Sequence, residues 1–247
     1  YIQADLTSHE DIQQLDTDYD QVIYIVTPDG RSEKAYRDVY ETGVENLLRH
    51  FDSSEHVIQT PFIFVSSTRV YGQQQGEWVD ENAITNPTSN QGKVLLAAEQ
   101  KFLDHNPHNT IVRFSGIYGR SPVPFFMKQK NEDGFQHTPP YYTNRIHYTD
   151  CVNFLVYLVR LKNGIGSAKQ KPSQADRINL DSIFLVSDDA PAPLWEVVEF
   201  LWPTSTSKQP LKKIDPSATQ NKRCSNKRMK SLGYELLIKS YREGYTA

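Results

Sequence analysis

The sequence contains no G-x-G-x-x-G, although it has 12 glycines. A loop of that kind lets backbone N–H groups and a helix N-terminus hold a pyrophosphate. These 247 residues therefore do not themselves supply one. Cysteine is scarce, and Cys151 and Cys224 fit no metal-ligand spacing, so no metal site is expected. A disulfide between them stays open, while a reducing, cytoplasmic setting is the expectation. No apolar run approaches the roughly 20 residues that cross a bilayer, so no membrane partner is expected. Neither sign of charge dominates: 27 Lys and Arg stand against 30 Asp and Glu, for a net −3. That dispersal argues against a nucleic-acid partner. The chain opens Tyr1-Ile2-Gln3 without Met, which leaves open what precedes it.

What is present is a set of short, continuously apolar runs. Residues 22–27 (V-I-Y-I-V-T), 62–67 (F-I-F-V-S-S), 110–114 (T-I-V-R-F) and 183–186 (I-F-L-V) suit strands buried on both faces of a parallel sheet. Between the first two, residues 32–50 carry helical spacing in Ala35, Tyr36, Val39, Val44 and Leu47, with Asp29 or Ser32 as the cap. Between the next two, residues 92–103 place Leu95, Ala98 and Phe102 on one face. Further helices are predicted over 149–161 and 194–202, with Asp150 in the N-cap region of the first. Alternating strand and helix predicts a doubly wound, Rossmann-type parallel α/β fold. After Gly119 the character changes, and 121–142 and 164–174 lack any sustained period. We therefore expect residues 1–119 to belong to the Rossmann-type sheet domain and 120–247 to be mainly a smaller mixed α/β region. Some segments of the latter return to the sheet, and the site lies in the crevice between the two. Residues 208–230 carry eight Lys or Arg against one acid and read as a solvated face.

Two runs carry a resemblance. F-I-F-V-S-S-T-R-V-Y-G (Phe62 to Gly72), followed by Q-G-K-V-L-L-A-A-E (Gln91 to Glu99), resembles the NAD-dependent epimerase/dehydratase family of extended short-chain dehydrogenase/reductases. R-F-S-G-I-Y-G (Arg113 to Gly119) is similar to that family's R-x-x-N-V-Y-G-P. The second run typically reads Y-G-x-S-K-x-x-x-E there, with Tyr as acid/base. Aligned on Gly92 and Glu99, this chain has Gln91 for the Tyr and Leu95 for the Lys. An amide neither gives nor takes a proton near neutrality, and Leu95 bears no charge. The alternative register, Ser89 and Lys93, breaks the Gly and Glu matches. The opening A-D-L-T looks like the segment after the family's third strand, which implies that a first βαβ unit with the glycine-rich loop precedes this sequence.

The resemblance implies NAD or NADP as cofactor and assigns candidate positions. Asp5 would address the adenine, although an ordinary turn carboxylate explains it as well. Thr27, Pro28 and Ser66 would lie along the cofactor, and Ser115 and Ile117 at its nicotinamide end. Ser67 falls on the position that donates to the developing oxyanion, its plain alternative being a hydroxyl that closes its own turn. Tyr71, Gln91 and Arg145 would face substrate, Arg145 suiting the phosphates of a nucleotide sugar. His147 titrates in the right range to replace the Tyr, against a structural role.

Three functions stay open. One is an NAD(P)-dependent, epimerase/dehydratase-like oxidoreductase acting on a nucleotide sugar or a similar hydroxyl substrate, with a homodimer as one open arrangement. The second is a catalytically inactive NAD(P)-binding sensor or scaffold. The third is a partner-binding domain without a nucleotide site. The family's Asp-Glu of dehydration is here Thr68-Arg69, which disfavours that reaction.

Overall fold

The computed structural model describes residues 1–53, 60–119, 137–162, 182–201 and 221–246. The polar loop 164–174, most of 121–142, Lys212 and Lys213 lie outside them. In chain order come α1 (His9–Ile12), β1 (Val22–Tyr24), α2 (Glu33–Arg37), a π-helical turn (Asp38–Gly43), α3 (Val44–Asp52), β2 (Phe62–Ser67) and a 3-10 turn (Thr68–Val70). Then follow β3 (Glu77–Val79), α4 (Asn90–His105), β4 (Thr110–Phe114), β5 (Gly116–Tyr118), β6 (Tyr142–Thr143), β7 (Arg145–His147) and α5 (Tyr148–Lys162). The last elements are β8 (Ile183–Val186), β9 (Ala192–Pro193), the helix Leu194–Leu201, β10 (Lys222–Cys224) and the short helices Lys227–Ser231 and Tyr241–Gly244.

The strands β1, β2, β4 and β8 lie in that order in a parallel sheet, the expected Rossmann-like arrangement. Val22 pairs with Phe62 and Tyr24 with Phe64. The chain divides into two compact units. The first comprises Tyr1–Val70, Thr85–Arg113 and Ile178–Phe184, and the second Tyr71–Ile84, Phe114–Arg177 and Leu185–Ala247.

In the first unit the core follows from the apolar runs. Phe62, Ile63 and Phe64 are fully buried, and so are Ile111 and Val112. Helix α4 lays Val94, Leu95, Ala98 and Phe102 against them, and Phe102 stacks on Phe64 at 4.8 Å between centroids. Each of the larger side chains contributes about 1.5–3 kcal/mol by leaving water. Ser89 starts α4 by accepting from Gly92 N at 3.1 Å.

Two expectations need correction here. The strand expected over 22–27 ends at Tyr24. Thr27-Pro28 lies just beyond, where proline has no N–H for a ladder. The helix expected over 32–50 runs without a gap from Glu33 to Asp52, but widens into the π turn over Asp38–Gly43. Ser32 does cap its start, accepting from Ala35 N at 3.1 Å. The widening follows from packing: Tyr24 donates its hydroxyl to the Val39 carbonyl at 2.8 Å. A Cβ on Gly43 would stand 3.0 Å from Leu6 Cβ. The wider turn thus brings the helix backbone against β1.

In the second unit β5 pairs in parallel with β7, and β3 with β10, while β6 and β9 are antiparallel. Asp150 is not the cap of α5. It lies within the helix, fully buried, and its carboxylate accepts from Tyr234 Oη (2.9 Å), Leu237 N (2.9 Å) and Ile238 N (3.0 Å). Three donors offset the cost of burying the charge. The cap falls to His147, whose Nδ1 accepts from Thr149 N at 3.3 Å. The basic stretch is likewise no uniform solvated face. Lys222 is buried, with Nζ 3.5 Å from the Tyr71 carbonyl, and Arg223 lies over the rings of Trp78 and Tyr142. Cys151 and Cys224 are both buried, and no disulfide joins them.

Candidate functional site

Polar side chains gather at the carboxyl ends of the strands, the usual place for ligands in an open α/β sheet. In the first unit a cleft of about 600 Å³ opens past the end of β1, within the range of small-molecule sites. Its walls include Asp5, Thr7, Thr27 and Asp29, so two of the expected cofactor residues meet there. Asp5 Oδ1 accepts from Thr7 N and Thr7 Oγ1, each at 2.8 Å. These bonds hold the Asp5 carboxyl below the ordinary aspartate range. Asp5 Oδ2 has no protein donor among the described residues. Pro28 is buried and does not line the cleft; its carbonyl accepts from Gly30 N at 2.8 Å, in a turn where Gly30 takes a φ of 118°.

At the end of β2, successive side chains point to opposite faces. Ser66 is buried and donates to Glu99 Oε1 at 2.5 Å. Glu99 is itself held by Arg113, through Nε at 3.0 Å and Nη2 at 2.6 Å. Ser67, half-buried, accepts from Arg69 N at 3.2 Å and closes its own turn. Its own proton has no acceptor among the described residues.

The first turn of α4 lies close by. A Cβ on Gly92 would stand 2.7 Å from Pro87 Cβ and 3.0 Å from the Arg69 carbonyl, so glycine is required where helix and turn touch. Gln91 is half-buried, and its Nε2 donates to the Arg31 carbonyl at 3.0 Å. Leu95, one turn on, is 3% exposed within the core.

In the second unit Ser115, Ile117, Arg145 and His147 come together on β5, β7 and the residue before β5. Gly116 pairs with Arg145 and Tyr118 with His147. Ser115 N donates to the Val186 carbonyl at 3.0 Å, and Ser115 Oγ is buried without a hydrogen-bond partner among the described residues. Ile117 is exposed. Arg145 is buried, its guanidinium 5.6 Å from the centre of the Tyr241 ring. The His147 ring lies edge-on to Tyr118 at 5.2 Å, and Gly119 leaves no room beside Nε2. Burial pushes the His147 pKa down, against the pull of Asp150. Tyr71 is fully buried.

One residue escaped the sequence reading. Asp188, just past β8, is 1% exposed, and its backbone N–H donates to the Arg145 carbonyl at 2.7 Å. Oδ1 accepts from Ala190 N at 3.1 Å, while Oδ2 has no partner among the described residues. Burial pushes its pKa up to about 7, only partly countered by the Ala190 N–H and Arg145. Its position directly after an apolar strand was the signal available in the sequence.

A parallel α/β sheet with polar groups at the strand ends defines the Rossmann-type class of nucleotide-binding folds. Residues 31–134 match the family model described as the RmlD substrate binding domain. No curated protein matches the chain. Among solved structures, one from Methylobacillus flagellatus, provisionally described as an NAD-dependent epimerase/dehydratase, is 27% identical. That match covers 98% of this chain and 80% of the other, with a TM-score of 0.70. UDP-glucuronic acid 4-epimerase from Bacillus cereus, solved with NAD, is 18% identical over 96% of this chain and 77% of its own, with a TM-score of 0.68. RMD from Pseudomonas aeruginosa, solved with NADPH, is 17% identical over 99% and 85%, with a TM-score of 0.68. The chain is thus similar in fold to NAD-dependent epimerases/dehydratases, and the family-model match spans residues 31–134. Among the described residues no helix is long and apolar enough to cross a membrane.

Proposed function

We propose that the chain binds NAD or NADP in the first-unit cleft, and that it does so without the proton transfer through Tyr and Lys that is usual in the family it resembles. The observation that carries this reading is the state of the two replaced positions. Leu95 is core, and the Gln91 amide is committed to the Arg31 carbonyl. Neither group can exchange a proton there. The cleft supports the binding half of the reading: it has the volume for an adenosine, an acceptor carboxylate in Asp5, and the small side chain of Thr27 where backbone must approach a ligand. When bound, the nicotinamide supplies a hydride acceptor or donor. The natural ligands would then include a nucleotide sugar, as UDP-glucuronic acid is for a structural neighbour, in a cytoplasmic protein.

Isothermal calorimetry of the full natural protein with NAD and NADP tests this reading. Micromolar binding, with no absorbance change at the nicotinamide band on adding nucleotide sugars, is the expected result. Absence of binding by either dinucleotide overturns it in favour of a partner-binding domain.

A second reading, turnover with a different acid, is favoured by Ser67, whose hydroxyl proton is uncommitted. On that reading a substrate is turned over, and Ser67→Ala slows it by about tenfold or more, the usual loss for one oxyanion donor.

A further inference from the structure

We propose that Gln91 and Asn90 are positioning residues for the first-unit cleft: from the start of α4 they hold the exposed turn 29–32 that forms part of its wall. The inference rests on the binding function proposed above and says how this chain fixes the shape of that site. Asp29, Ser32 and Ala35 bring the turn and the start of α2 to the cleft, and Leu6 and Val26 line it elsewhere. Backbone at each of these places is tied to a side chain from later in the sequence. The Leu6 carbonyl accepts from Asn46 Nδ2 at 3.0 Å, and the Val26 carbonyl from Tyr40 Oη at 3.0 Å. Asn46 and Tyr40 are buried, so these two ties are sheltered. The third is at Arg31, whose carbonyl accepts from Gln91 Nε2 at 3.0 Å, 60 positions away.

The turn depends most on its tie. Residues 29–32 are all exposed, and the bonds from Gly30 N to Pro28 O and from Ala35 N to Ser32 Oγ are local to it. A Cβ on Gly30 would meet nothing within 4 Å, so no packing holds the turn at that point. Asn90 adds a second tie just past it, donating to Glu33 Oε2 at 2.7 Å. Both donors start from a fixed base. Ser89 caps α4, and Gly92 packs against Pro87 and the Arg69 carbonyl with no room for a Cβ. A wall held in place beforehand does not have to be ordered when a ligand arrives, and the complex is tighter for it. The position where the resemblance expects a proton-transferring Tyr thus serves binding through an amide N–H.

Calorimetric titration of the full natural protein with NAD and NADP, together with amide hydrogen exchange over residues 28–33, tests the proposal. Gln91→Met keeps the length of the side chain and loses the donor. It should speed exchange in the turn and weaken dinucleotide binding about fivefold, the net worth of one hydrogen bond, with stability in urea little changed. Gln91→Lys returns a donor of similar reach. It should restore slow exchange before any dinucleotide is added, and the affinity with it. Asn90→Asp sets like charges together at Glu33 and should also loosen the turn, while adding Glu33→Gln swaps donor and acceptor and should restore it. Parent-like exchange and affinity in both Gln91→Met and Asn90→Asp overturn the positioning role and leave the binding function standing. Losses that neither Gln91→Lys nor the added Glu33→Gln restores reflect general damage to the fold and overturn it too. Failure of the parent to bind either dinucleotide removes the binding function itself, and this inference with it.

Discussion

Glu99 on α4 and Arg113 on β4 form a two-pronged ion pair in the interior of the first unit. Arg113 Nη2 stands 2.6 Å from Glu99 Oε2, and both side chains are almost completely enclosed. Ser66 supplies a third bond to the same carboxylate. The helix, the strand carrying Ser66 and the strand carrying Arg113 are thereby joined at one point.

Removing one partner of a buried pair leaves the other charge unanswered, at a typical cost of 3–5 kcal/mol. Glu99→Ala should therefore destabilise the protein by about 3 kcal/mol or more in urea denaturation. Ser66→Ala should cost about 1 kcal/mol, the net worth of one hydrogen bond. Equal, small effects from both would show that the pair is not held as described.

Placing Tyr at 91 and Lys at 95 should fail for a structural reason. Gln91 is half-buried at the start of α4, and Gln91→Tyr should fold with a change within about 1 kcal/mol. Leu95 is 3% exposed, so Leu95→Lys forces an ammonium into the core. Its melting temperature should fall by an amount corresponding to about 3 kcal/mol. A Leu95→Lys protein as stable as the parent would mean that α4 can turn this position outward.

The protonation of Asp188 should shape stability against pH. Its folded-state pKa is raised to about 7, mainly by burial. The folded chain therefore binds this proton more tightly than the unfolded chain. The stabilisation is complete below the ordinary aspartate range and is lost as the pH rises through about 7. Asp188→Asn keeps a neutral group in place and should remove this loss. Between pH 5 and pH 8 the parent should lose about 2 kcal/mol relative to the variant, measured by chemical denaturation at each pH. Parallel curves for the two proteins would place the Asp188 pKa outside this window.

The sheet was legible because its strands are short apolar runs that need cover on both faces. Residues 62–67, 110–114 and 183–186 form strands with those bounds. Helix α4 was legible through Leu95, Ala98 and Phe102, and the Gly92 match has a steric cause in Pro87 and Arg69. The π turn was not legible, because it answers to Tyr24 and Leu6 rather than to the spacing of its own residues. The bonding role of Asp150, in the first turn of α5, was not legible for a similar reason. Its donors Tyr234, Leu237 and Ile238 lie 84 or more residues further along the chain.

The sequence by itself determined the strands 62–67, 110–114 and 183–186 and the core face of α4, and placed Gln91 and Leu95, neither of which titrates, where the resemblance expects Tyr and Lys. Periodicity and residue chemistry are local properties, and both are carried by the order of residues alone. Only the tertiary structure decided the fate of the polar groups. It turned Ser66 inward to Glu99, closed Ser67 on its own turn, gave the Gln91 amide to Arg31, and buried Asp188 beside Arg145. A hydrogen-bond partner or a buried neighbour is supplied by residues distant in sequence, and burial then sets how tightly a carboxyl holds its proton.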